Sequence, residues 1–177
     1  MPVVKLDIKA ETLPNLEKDE IFQFELDLDN KELENFALDL EKAQPGVQRT
    51  NIGGWHSYMN LFQSGNRFIQ ELHDEIIACT NKILKQETKI HGSWININRN
   101  GHKNRKHRHG SFHLAACYYV RTDEAGGEFV APELGIQILP PVGTLLIFPG
   151  EMFHEVLAYT GRTHRISIAC NISTLLA

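Results

Sequence analysis

Cysteine is scarce in this 177-residue chain: Cys79, Cys117 and Cys170 are an odd number, far apart and without CxxC spacing. That excludes a disulfide framework and a thiolate zinc site, leaving reduced, buried thiols as the expectation. Long apolar runs are missing too, none approaching the roughly 20 residues of a membrane helix. The opening MPVVKLDIKAETLP has neither the basic nor the apolar region of a secretory leader. A cytoplasmic protein without membrane contact is therefore expected. At 42% hydrophobic and 23% charged residues, the composition excludes collagenous and disordered chains, and the length suits one domain over residues 1–177.

Histidine, in contrast, is concentrated. Four of nine (His102, His107, His109 and His113) fall within twelve residues. Charge is uneven as well. Residues 1–50 carry twelve acids against six Lys/Arg, whereas residues 89–113 carry six Lys/Arg and no acid. Such a basic segment is either a solvated loop offsetting the acidic half or a device that steers an anion. With a pI near 6.1, a dedicated nucleic-acid binder is disfavoured.

Phe22 to Leu28 alternates apolar and polar residues, as a half-buried strand does. Asp29 with Glu32 three residues on opens a helix whose Leu33, Phe36, Ala37 and Leu40 share a face, and Pro45-Gly46 stops it. A second helix over about 66–85 stripes Phe68, Leu72, Ile76, Cys79 and Ile83. From residue 89 onward the period shortens to β-rich runs at 89–98, 112–121, 127–131, 134–139, 143–148, 153–159 and 164–173, punctuated by Gly and Pro. The expected fold is mainly β, a sandwich, barrel or jelly roll over 89–177, buttressed by the strand and helices of 1–88.

Residues i and i+2 of a strand point the same way, about 7 Å apart. His107 and His109 therefore project together, and two imidazoles so placed can take neighbouring positions on one metal ion. His154, in Phe153-His154-Glu155-Val156, is the best distant third ligand, with His113 as an alternative. On the strand from His164, Arg165, Ser167, Ala169 and Asn171 share one face, while Ile166, Ile168 and Cys170 share the other. An arginine and a serine on an inward face need a buried anion, unless the arginine reaches a rim or pairs with Glu128 or Glu155. By the same parity Trp94, Asn96 and Asn98 look inward on one strand, and Ala115, Cys117 and Tyr119 on the next. Buried amides need partners, and small residues beside a phenol leave room for a ligand.

The pattern HxD/E, then a distant histidine, then an Arg-x-Ser about ten residues later, met here with His109 at the acidic position, resembles the Fe(II)/2-oxoglutarate-dependent dioxygenases. Residues about 52–172 are more closely similar to the 2-oxoglutarate/Fe(II) oxygenases of phage and marine bacterial genomes, which are prolyl hydroxylase-like. The matching stretches are GGWHS (53–57), SWININRNG (93–101), HRHGSFHLAACYYV (107–120), GTLLIFPGEMFHEV (143–156) and RISIACNI (165–172). The resemblance implies a double-stranded β-helix, the jelly roll. It also implies Fe(II) on His107, His109 and His154, O2 as oxidant, and 2-oxoglutarate held by Arg165, Ser167, Asn96 and Tyr119. Trp94, Asn98, Ala115, Cys117 and Asn171 would line the same pocket. The implied reaction hydroxylates a substrate C–H bond, with succinate and CO2 as coproducts, in the host cytoplasm if the chain is phage-encoded.

His109 stands where most such enzymes carry Asp or Glu. A three-imidazole site is also similar to those of cupin thiol dioxygenases, which need no 2-oxoglutarate. A catalytically inactive jelly-roll binding module is the other alternative. The substrate is expected to be a peptide, a protein or an anionic small molecule, since Arg99 to Arg108 puts five basic residues near the pocket mouth. Residues 1–50 are open to use as a lid, a homodimer surface or only a buttress.

Overall fold

The computed structural model describes residues 4–5, 20–123 and 125–175, so the stretch read for a leader lies mostly outside it. An inner strand of the larger sheet, β12 (Arg165–Thr174), is buried along its whole length. It is antiparallel to β5 (Thr88–Asn98) on one side and to β7 (Leu114–Arg121) on the other. Beyond β7 lie β10 (Thr144–Pro149), β2 (Phe22–Glu25) and β1 (Val4–Lys5), while β4 (Trp55–His56) edges β5, giving seven strands. A second sheet orders β3 (Asn51–Ile52), β6 (Lys103–His107), β11 (His154–Val156), β8 (Phe129–Ala131) and β9 (Ile136–Ile138). The architecture is a jelly roll, as expected. Residues before and after 88 share its larger sheet.

The alternation along β12 divides the interior into two cores. Ile166, Ile168, Cys170 and Ile172 face outward with Ile95, Ile97, Tyr118, Val120, Leu145 and Ile147, and helices α1 (Asn30–Ala43) and α2 (Arg67–Leu84) cover them. Each aliphatic side chain so buried stabilises the fold by roughly 1.5–3 kcal/mol. The opposite face contributes Ala115, Tyr119, Leu146 and Phe148 to a smaller core with Phe129, Ala131 and Met152 of the second sheet and its turns.

The helices begin where side chains satisfy free amides. Asp29 accepts from the Glu32 N–H, and Asn66 accepts from Phe68 and Ile69. On α2 the stripe is Ile69, Leu72, Ile76, Cys79 and Ile83; Phe68, expected in it, is only half-buried. Four short strands went unanticipated: β1, β3, β4 and β6. The last runs through the basic segment read as loop, because its backbone pairs with β3 and β11 while the cations point away.

One ion cluster ties α1 to the sheet. Buried Glu34 accepts from Arg121 Nη1 at 2.7 Å and His164 Nε2 at 2.8 Å, next to Lys31. Burial alone would raise the Glu34 carboxyl, but the hydrogen bonds from His164 and Arg121 outweigh it and hold the carboxyl below its ordinary value. A depressed carboxyl contributes stability that is present above its unfolded pKa and lost as pH falls through the folded one. Glu34→Gln should therefore lower stability by about 1–3 kcal/mol at pH 7. In urea melts the gap from wild type should close below about pH 4.

Candidate metal centre

His107 and His154 lie directly opposite each other across the β6–β11 ladder, where facing side chains approach closest. Between that pair and the Val156–Asn104 pair, two β6 residues oppose the single Glu155. This bulge turns both Asn104 and His107 toward the interior, against simple alternation. His109 follows just beyond the strand end, its N–H donating to the Gly150 carbonyl at 2.8 Å. Gly150 in turn donates to the His113 carbonyl at 3.1 Å. A side chain at Gly150 would lie 2.1 Å from the Phe112 carbonyl oxygen, so only glycine lets these backbones meet.

The three imidazoles offer nitrogens within 4.8 Å of one another, and the Nε2 atoms of His109 and His154 are 3.3 Å apart. Two nitrogens each about 2.1 Å from one cation, at the angles of tetrahedral or octahedral sites, stand about 3.0–3.4 Å apart. His107 Nδ1–H donates to the Arg105 carbonyl at 2.7 Å, and His154 Nδ1–H to that of Met152 at 3.0 Å. These bonds set the tautomer that turns each Nε2 lone pair inward. Burial, followed by the neighbouring imidazoles, pushes His154 down to about 3 and His109 down to about 4. Burial lowers His107 as well. All three are neutral at pH 7, the form a metal requires. Phe129 stacks on His154 at 5.3 Å, while Trp94 lies 5.8 Å from His109 and stacks on His56.

These rings open onto a cavity of about 250 Å³ that Trp94, Asn96, Cys117, Tyr119, Ser167 and Asn171 also line. The β12 register explains the grouping: Ser167 pairs with Asn96 and Tyr119, and Ala169 with Trp94 and Cys117. Arg165 continues the row behind the cavity wall. It is 2% exposed, its guanidinium 5.1 Å from the centre of the Tyr119 ring. Nη2 has no hydrogen-bond partner, and no ion pair among the described residues involves Arg165, including with Glu128 or Glu155. Gly127 presses against it, since a Cβ there would lie 2.8 Å from Arg165 Cδ.

Three expected positions fall elsewhere. Asn98 is buried off the cavity and donates to Asn104 Oδ1 at 3.3 Å, and Ala115 packs in the smaller core. His113 Nδ1 accepts from the Thr174 N–H at 3.3 Å, away from the three-ring group. Sequence reasoning missed Arg49, Thr50, His56, Met59, Asn104, Phe129, Phe148 and Val156, all of which line the cavity. GGWHS held a signal for His56. Phe148 arrives on β10 beside β7, and Met59 accepts the Ser93 N–H of β5, while the others reach the site through the β3–β6 and β8–β11 pairings, which local periodicity does not reveal.

The residues fit a divalent metal plus a carboxylate ligand. Three neutral, hydrogen-bonded imidazoles converge, and Arg165 Nη2 and the Tyr119 hydroxyl are buried without partners. Fold and site thus combine a jelly roll with three converging imidazoles suited to a metal and a cavity backed by an unpaired guanidinium. Residues 133–171 match the model of the family described as "Putative 2OG-Fe(II) oxygenase".

The fold is similar to the viral collagen prolyl hydroxylase of Paramecium Bursaria Chlorella virus-1 in its 2OG complex (TM-score 0.70, 14% identity, 86% of this chain and 94% of that one). It is also similar to a Pseudomonas putida prolyl-4-hydroxylase (0.66, 15%, 87% and 92%). A Trichoplax adhaerens prolyl hydroxylase in complex with a hypoxia inducible factor peptide fragment is a third such structure (0.68, 14%, 87% and 83%). No curated protein sequence matches the chain. Among the described residues, no helix is long and apolar enough to cross a membrane.

Replacing His107, His109 or His154 with alanine should weaken Co(II) binding at least about tenfold, measured by its visible absorption, whereas His113→Ala should retain it. Because burial holds all three imidazoles below their ordinary pKa, wild-type binding should persist as pH falls through 6.5, measured by the same absorption.

Proposed function

We propose that the protein hydroxylates a C–H bond of a peptide or protein substrate, a prolyl residue being the first candidate, and releases succinate and CO2. The observation that carries this reading is Arg165, a fully buried and unpaired guanidinium behind a cavity that opens on three neutral imidazoles. A buried cation without a counter-charge costs several kcal/mol, so the site is built for an anion. Iron(II) chelated by 2-oxoglutarate would supply the oxidation of the C–H bond by O2, at the expense of the keto acid.

His107, His109 and His154 hold the metal in this scheme. Arg165, with the Tyr119 phenol and the Ser167 hydroxyl, receives the distal carboxylate, the guanidinium fork matching its two oxygens. The side chains of Asn96 and Asn171, whose Oδ1 atoms lack partners, orient the remaining polar groups. Trp94, Phe129 and Phe148 keep water from the reacting carbon. Prolyl chemistry rests on the likeness to prolyl hydroxylases and on a peptide being bound by the Trichoplax enzyme. Three free cysteines, two of them buried, suit a reducing cytoplasm.

The all-imidazole ligand set favours a second reading, a three-histidine dioxygenase independent of 2-oxoglutarate. One experiment separates the two. Anaerobic addition of Fe(II) and 2-oxoglutarate together should produce a visible charge-transfer band that neither gives alone. Arg165→Ala should weaken 2-oxoglutarate binding by about 100-fold while Fe(II) is retained. No band from folded protein, or unchanged affinity in the variant, overturns the first reading.

A further inference from the structure

The cations around the cavity are not equally occupied. Arg99 is held by Glu41 through two bonds of 2.7 and 2.8 Å, Lys106 by Glu133 at 3.1 Å, and Arg108 by Glu151 at 2.6 Å. Arg49, Lys103 and Arg105 make no ion pair among the described residues. All three lie on the ribbon formed by β3, the residues just before it, and β6. Arg105 donates its backbone N–H to the Thr50 carbonyl at 2.9 Å and its Nη2 to the Arg49 carbonyl at 3.2 Å, while Lys103 pairs with Ile52. Two arginines are thus kept side by side without a counter-charge, an arrangement that self-repulsion disfavours unless an anion visits. Arg49 and Thr50 form part of the cavity wall, so this unpaired charge stands at the entrance. It also reaches the interior: after burial, Arg49 is among the causes that lower His56 on the cavity wall.

The cavity's size says what can enter. About 250 Å³ is less than the roughly 300–1,000 Å³ that encloses a whole drug-sized ligand. With 2-oxoglutarate inside, little more than one side chain can follow, and the rest of the substrate lies on the rim. There Met59, exposed and lining the cavity, offers apolar contact, and exposed Ile52 stands opposite Lys103 in the β3–β6 pairing.

We propose that Arg49 is a specificity-determining residue, selecting polypeptide segments in which acidic side chains flank the reacting residue, with Lys103 and Arg105 extending the same positive rim. This rests on the peptide reading above. Exposed charge pairs are individually weak, so selection comes from several contacts and is screened by salt.

The test uses protein loaded with Fe(II) and 2-oxoglutarate without O2, so that nothing turns over. Fluorescein-labelled short peptides with a central proline flanked by Glu, Gln or Lys are titrated by anisotropy. The Glu peptide should bind about tenfold tighter than the Gln peptide at low salt, the gap shrinking as NaCl rises. Arg49→Ala should weaken the Glu peptide about three- to fivefold. Arg49→Glu should favour the Lys peptide, a reversal that an unfolded variant could not give. Equal binding of Glu and Gln peptides, or no effect of either variant, overturns the charge selection and leaves the peptide reading standing. If no peptide binds, or if single-stranded oligonucleotide binds and tracks Arg49 instead, the peptide reading itself falls.

Discussion

The structure depends on the two-sided burial of β12. A strand buried on both faces normally reads as continuously apolar, yet here one face alternates Arg165, Ser167 and Asn171 with the apolar face of Ile166, Ile168 and Cys170. A slip of one residue would turn the arginine into the helix-covered core and the isoleucines into the cavity. The large outer core therefore fixes the register, and the register places the polar groups. The stability of the outer layer and the geometry of the inner site are consequences of one pairing pattern.

That coupling explains how much of the molecule could be read in advance. The strong period-two pattern of residues 164–173 and the helical stripe of α2 marked both large elements, and parity on β12, β5 and β7 grouped Ser167, Asn96, Tyr119 and Cys117 around one cavity. Parity failed at Asn98 and Ala115, because facing inward on a strand does not decide which stretch of the interior is open. It failed again at Asn104, where a bulge turns an unexpected residue inward. His113 shares a segment with two converging histidines but lies beyond the Gly150 contact, where its ring meets the end of β12 instead. Pairing partners such as β3 and β6 are set by the chain's return from a distance, so their short sequences carried no local signal.

The basic segment shows the same limit for charge. Counted along the chain it is one block; in space it divides into cations held by Glu41, Glu133 and Glu151 and others that stay free beside the cavity entrance. Acidic residues both upstream and downstream supply the neutralising partners. Net charge over a window therefore overstates the field that a ligand would meet.

The absence of a carboxylate from the three-histidine group has one more consequence. Carboxylates gathered around an empty metal position repel one another and draw the nearest cation inward, so such sites tend to distort when vacant. Three neutral imidazoles, each in an environment that resists protonation, exert no such pull. Their orientation comes from main-chain carbonyls and aromatic neighbours. The centre's shape is thus written into the same backbone pairing that builds the two sheets.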